Sequence, residues 1–226
     1  MIPAHGSDDD FCSFIANNAN YTVLDIQYRL APEDPFPAAF HDIEDSIHYV
    51  LSCSNTFDSK RIAISGFSAG GNLALSICSS STFVAREAIS STIVFYAPTN
   101  LAEDPGEKRA PESSSKKIPA ALSRYFHKCY IPSGVDPRDP MISPLFADPE
   151  VFPGRVLVIT AAQDAFADEG EVLARRIGDL PNRHVVVKRA EGCPHGWDKF
   201  AVEGTVFGDA RDMAYKLAVD TMLGSC

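Results

Sequence analysis

A short apolar run, a serine and three closely spaced glycines limit what this chain can fold into: Ile62-Ala63-Ile64-Ser65-Gly66-Phe67-Ser68-Ala69-Gly70-Gly71. The apolar residues read as a strand and the residues from Ala69 as the start of a helix. Ser68 stands at the turn between them, flanked by Gly66 and Gly70 in a G-x-S-x-G arrangement. A serine on so sharp a turn projects its hydroxyl clear of the sheet, and small neighbours are needed where strand and helix backbones approach. The helix that follows points N–H groups and a positive dipole end at the same place. The blander reading is a glycine-rich turn with a capping serine. The flanking strand, and the helical spacing of Leu73, Ala74 and Ile77 behind it, favour the nucleophile.

Before and after that stretch the chain alternates. Residues 11–19 read as a short helix, 21–28 as a strand rich in β-formers, and 29–38 as a rigid loop, since three prolines in six residues exclude a helix or central strand. Phe40, Ile43, Ile47, Val50 and Leu51 then recur at helical spacing. Residues 89–96 form the next apolar strand. Residues 99–117, with Pro105, Gly106, Pro111 and a run of three serines, read as a surface excursion. Residues 118–130 read as a helix with Ile118, Leu122, Tyr125, Phe126 and Cys129 as its apolar stripe, and 132–153 as irregular. Strands at 156–160 and 184–188, with helices at 168–178 and 209–223, complete the alternation. The order predicts a single α/β domain over residues 1–226, a mostly parallel sheet covered by helices on both faces, with 99–153 inserted as a lid.

In such sheets reactive groups collect at the carboxyl ends of strands. Ser68, Asp164 and His195 each stand just after a strand, in the chain order Ser, Asp, His. A serine hydroxyl needs a base within hydrogen-bond reach, and the base needs an orienting partner. Taken singly, Asp164 reads equally as a turn residue or helix cap, and His195 as a loop histidine. His5, His41, His48, His127 and His184 have no comparable placement and read as surface or structural. The six cysteines are irregularly spaced and read as reduced thiols, and no zinc-type spacing occurs. No metal or organic cofactor is expected. A net charge of -10 argues against nucleic acid and anionic membrane surfaces. No apolar run is long enough for a transmembrane helix, and the opening residues lack a signal-peptide plan, so a cytoplasmic chain is expected.

Four segments carry a family resemblance. They are Tyr28-Arg29-Leu30-Ala31-Pro32-Glu33-Asp34-Pro35-Phe36-Pro37-Ala38-Ala39, Gly66-Phe67-Ser68-Ala69-Gly70-Gly71, Asp164-Ala165-Phe166-Ala167-Asp168-Glu169-Gly170 and Glu191-Gly192-Cys193-Pro194-His195-Gly196-Trp197. Together they resemble the hormone-sensitive-lipase-like branch of the α/β-hydrolases, a family of carboxylesterases and lipases. The resemblance implies hydrolysis of short- to medium-chain carboxylic esters, with Ser68 as nucleophile, His195 as base and Asp164 as its partner. It also implies a His-Gly-Gly-Gly loop whose N–H groups build the oxyanion hole, and further strands ahead of it. This sequence has only His5-Gly6-Ser7 there, so the first strands are expected to be missing, with Ala69 and Gly6 as the oxyanion donors. A different class stays open: a catalytically impaired relative, or a small-molecule binding protein of the same fold. A homodimer through the last strand region is also open.

Overall fold

The computed structural model describes residues 6–80, 84–113 and 118–225. His5, Cys226 and residues 114–117 of the excursion lie outside them. Four strands, β1 (Ile62–Phe67), β2 (Ile89–Phe95), β3 (Arg155–Ala161) and β4 (His184–Ala190), form one sheet in the order β1-β2-β3-β4, every pair parallel. Among the described residues six α-helices accompany it: α1 (Asp9–Ala19), α2 (Ala38–Ser52), α3 (Ala69–Ser79), α4 (Ala120–Tyr130), α5 (Ala167–Gly178) and α6 (Val206–Leu223).

The two central strands explain the layering. Side chains alternate across a strand, so an apolar strand needs a cover on each face. Val94, Val156 and Val158 point into one core with Phe40 and Ile43 of α2, Leu73 and Ile77 of α3 and Leu173 of α5. Ile93, Phe95, Leu157 and Ile159 point into the other, against Phe11 and Ile15 of α1 and Tyr215 and Ala218 of α6. Each fully buried side chain of this size is worth roughly 1.5–3 kcal/mol of transfer free energy. The helices therefore have no apolar alternative to these two positions. Parallel strands share a direction, so all their carboxyl ends lie along one edge.

Residues 21–28 do not form the predicted strand. They lie outside any ladder, and Tyr28 N–H bonds the carbonyl of Ile26 at 3.2 Å. The alternation that marks a strand breaks at Leu24 and Asp25, both exposed. Tyr21 and Val23 pack on one core and Tyr28 on the other, so their burial is met without sheet pairing. The stretch is anchored at its ends instead. The Arg61 guanidinium lies 4.9 Å from the Tyr21 ring, and Arg29 makes a forked contact with Asp42 of α2, with its own N–H 2.8 Å from that carboxylate.

The helix predicted at residues 118–130 is α4, but its apolar stripe does not turn inward. Leu122 and Tyr125 are exposed and Ser123 is the buried residue. His127 of α4 is half-buried, and burial, then the nearby Lys108 ammonium, hold its imidazole down at about 4 from an ordinary 6.5, against the opposing pull of Asp104. The unfolded chain takes up this proton below about 6.5 while the folded chain refuses it until about 4. His127 thus subtracts stability as pH falls through that window. The drop in urea midpoint between pH 7 and pH 5 should be smaller in His127→Gln than in the parent, and an equal drop in both would remove His127 from the account.

Candidate active site

β1 ends at Phe67 and α3 begins at Ala69, leaving Ser68 alone to make the turn. Its φ of 48 and ψ of -116 lie in a region that non-glycine residues rarely occupy. The turn is clamped from outside: Ser68 N–H bonds Phe95 O at 2.9 Å, and Ser68 O accepts from Asn72 N–H at 3.0 Å. The glycines have separate jobs. A Cβ on Gly66 would stand 2.3 Å from the carbonyl carbon and oxygen of Gly70, and one on Gly71 would stand 2.8 Å from Ala97 Cβ. Gly70 itself has room, with the Tyr28 hydroxyl 3.9 Å away as the nearest atom. The close approach falls on Gly66 and Gly71.

The other two residues arrive on loops tied to the same edge. Asp164 follows β3, held by Gln163 N–H to Cys193 O at 3.0 Å and by its own N–H to Ala161 O at 3.1 Å. Its side chain caps a turn as well, accepting from Phe166 N–H at 3.3 Å. His195 follows β4 between Gly192 and Gly196, both at positive φ. His195 Nδ1 lies 2.7 Å from Asp164 Oδ2, and His195 Nε2 lies 2.9 Å from Ser68 Oγ. With the proton on Nδ1, the ring donates to the carboxylate and accepts from the serine. Asp164 is almost fully buried and His195 slightly open to solvent. Ser68, His195 and Asp164 are thus brought into one hydrogen-bonded chain.

The two oxyanion candidates are placed differently. Ala69 is the first residue of α3, where an N–H has no intrahelical acceptor. Gly6 is exposed at φ +82 in the turn entering α1, and its carbonyl accepts from Asp9 N–H at 3.4 Å. No hydrogen bond among the described residues joins Gly6 to Ser68.

Around this chain stand residues that sequence spacing does not single out. The Tyr96 ring lies 4.7 Å from that of His195, and its hydroxyl donates to the buried Asp198 at 2.6 Å. Burial, then the Asp198 carboxylate, push the Tyr96 phenol far above its ordinary value, so it stays a donor. Lys199 pairs with Asp198 at 2.8 Å and lies 3.7 Å over the ring of Phe67, the residue before the serine. Asn72 Nδ2 bonds both Pro98 O and Ile142 O at 2.9 Å, fixing the first turn of α3. A cavity of about 590 Å³ opens beside Asp164 and His195, walled by Lys108, Glu112, Ile118 and Phe166. Cys193 has its thiol pushed up to about 11, first by burial, which leaves it protonated and inert. No group of three or more potential metal ligands occurs among the described residues, nor a helix long and apolar enough to cross a membrane.

A parallel sheet with helices on both faces and a serine on a strained strand-to-helix turn defines a class. A family model described as alpha/beta hydrolase fold matches residues 2–199, and this chain belongs to that family, in its hormone-sensitive-lipase-like branch. The carboxylic ester hydrolase LipN of Mycobacterium tuberculosis is 32% identical over 177 residues, covering 75% of this chain and 47% of LipN. Neutral cholesterol ester hydrolase 1 of Mus musculus is 37% identical over 81 residues, 34% of this chain and 20% of that protein. The solved structure of an esterase from Pyrobaculum calidifontis superposes with a TM-score of 0.82 at 29% identity, covering 96% of this chain and 70% of that one. The chain spans about half the length of the curated relatives it matches, 58% and 47% for the first two.

Proposed function

We propose that this chain is a serine hydrolase of carboxylic esters. The reading rests on the unbroken contact from Ser68 Oγ through His195 to Asp164, with Ser68 at a positive φ that non-glycine residues rarely adopt. Ser68 Oγ attacks the ester carbonyl carbon while His195 Nε2 takes its proton. The tetrahedral oxyanion forms against the Ala69 N–H at the positive end of α3. As it collapses, the C–O bond to the alcohol breaks and His195 protonates the leaving oxygen. Water, deprotonated by the same nitrogen, then cleaves the acyl-enzyme. Asp164 keeps the imidazole in the needed tautomer and stabilises its charged form. The esterase names of the relatives support the ester bond as target. We place residues 99–153 as a lid, because the cavity beside His195 is walled by residues between 105 and 113 and by Ile118, Ala120 and Ser123, together with Asp164 and His195. Short- to medium-chain acyl groups are the substrates proposed for that cavity.

A fluorophosphonate probe tests the reading directly, since it phosphonylates only an activated serine. One equivalent should attach, at Ser68, and an excess of p-nitrophenyl butyrate present during labelling should slow it. A folded protein left unlabelled would turn the reading toward a binding protein.

A further inference from the structure

We infer that Lys108 and Glu169 form a positioning pair for the His195 imidazole, acting through the ring of Phe166; this rests on the esterase reading of Ser68, His195 and Asp164. The two side chains are 3% and 7% exposed, an ion pair buried next to the cavity. Glu169, in the first turn of α5, accepts Thr99 N–H at 2.7 Å and Asn100 N–H at 3.1 Å on one oxygen and Lys108 Nζ on the other. Lys108 Nζ also donates to Asn100 O at 2.6 Å. The same ammonium lies 5.1 Å from the centroid of Phe166. Phe166 meets the His195 ring edge-on at 5.6 Å and 79°, and its N–H bonds Asp164 Oδ1. Tyr96 also meets the imidazole, at 4.7 Å, so two aromatic rings pack against it.

A pair that served only to hold the excursion in place would be a poor use of two buried charges. Burying ions carries a desolvation cost, and apolar replacements are often as stable or more so. The excursion also has other ties: Leu101 N–H to Ser143 Oγ at 2.7 Å and Glu112 N–H to Ala162 O at 2.7 Å. What these ties do not supply is a cation over the face of Phe166, an attraction that strengthens when the pair is desolvated. Without it the ring is free to tilt, and the imidazole with it. Misplacement on the scale of an ångström is enough to cost about a hundredfold in rate.

Lys108→Met alone strands a buried carboxylate, so the informative variant is Lys108→Met with Glu169→Gln. The glutamine oxygen still accepts from Thr99 and Asn100, and no charge is left unpaired. We expect its melting temperature to match the parent's while kcat for p-nitrophenyl butyrate falls about tenfold or more and KM moves far less. Phe166→Leu should lower kcat similarly, and adding Lys108→Met with Glu169→Gln to it should lower kcat no further. Full recovery of kcat together with stability, or losses that multiply in the combined variant, would overturn the inference. Should the parent show no turnover, the esterase reading fails by itself. The positioning pair is then decided by the NMR shift of His195 Hε1, which sits in the ring currents of Phe166: it moves in the charge-neutral variant if the pair orients the ring, and stays if it does not.

Discussion

Ser68→Ala should lower kcat for p-nitrophenyl butyrate by about 10⁶, and His195→Ala by a comparable factor. Combining the two should cost little more than either. In the proposed mechanism the serine and the imidazole act as one unit: Ser68 Oγ stands 2.9 Å from Nε2, and the attack needs both atoms. Asp164→Asn is expected to cost about 10⁴, because an amide no longer selects the tautomer with its proton on Nδ1. The residual rate should come from the Ala69 N–H and the end of α3, since a single oxyanion donor is worth about 10²–10³. Steady-state kinetics on the four proteins check this, with circular dichroism to show each is folded. Losses that multiply in the double variant, or a Ser68→Ala protein retaining most of its turnover, would place the chemistry elsewhere.

The parts of this site that could be read in the sequence are those with a local signature. Gly66, Ser68 and Gly71 fall within six residues, and the close contacts that require the glycines lie between the same residues and Ala97. The strands at 89–95 and 155–161 carry apolar residues on both faces, Ile93, Val94 and Phe95 in the one and Val156, Leu157, Val158 and Ile159 in the other, so their existence follows from composition. The supporting shell has no such signature. Lys108 meets Glu169 across 61 positions and Tyr96 meets Asp198 across 102. Glu169 is the instructive case. An acidic residue in the first turn of a helix fits the dipole, and its exposed neighbour Asp168 is of that kind, 3.5 Å from Arg189. Glu169 instead turns inward and meets a lysine and two backbone N–H groups. Nothing in helical spacing separates the two. Residues 21–28 differ in kind: their β-forming composition predicts a strand, but the alternation slips at Leu24 and Asp25, which are both exposed.

Gly66→Ala should destabilise the protein by about 3 kcal/mol or more, whereas Gly70→Ala should change stability by less than about 1 kcal/mol. Both substitutions sit in the same G-x-S-x-G arrangement, and a reading based on the pattern alone treats them alike. The structure separates them. The methyl of an alanine at 66 meets the Gly70 carbonyl at 2.3 Å and Gly71 N at 2.7 Å, all backbone atoms that no rotamer change can move. Nor can the first turn of α3 retreat. Gly71 already lies against Ala97, and Asn72 is buried with its amide bonded to Pro98 O and Ile142 O. The strain must therefore go into parting β1 from α3, which opens the core lined by Leu73 and Ile77. At position 70 the methyl enters open space, and alanine is the better helix former by about 1 kcal/mol, which offsets any crowding near Tyr28. Urea midpoints of the two variants measure the contrast. Equal midpoints would mean that the turn yields at Gly66, and that Ser68 is not held as tightly as its backbone angles imply.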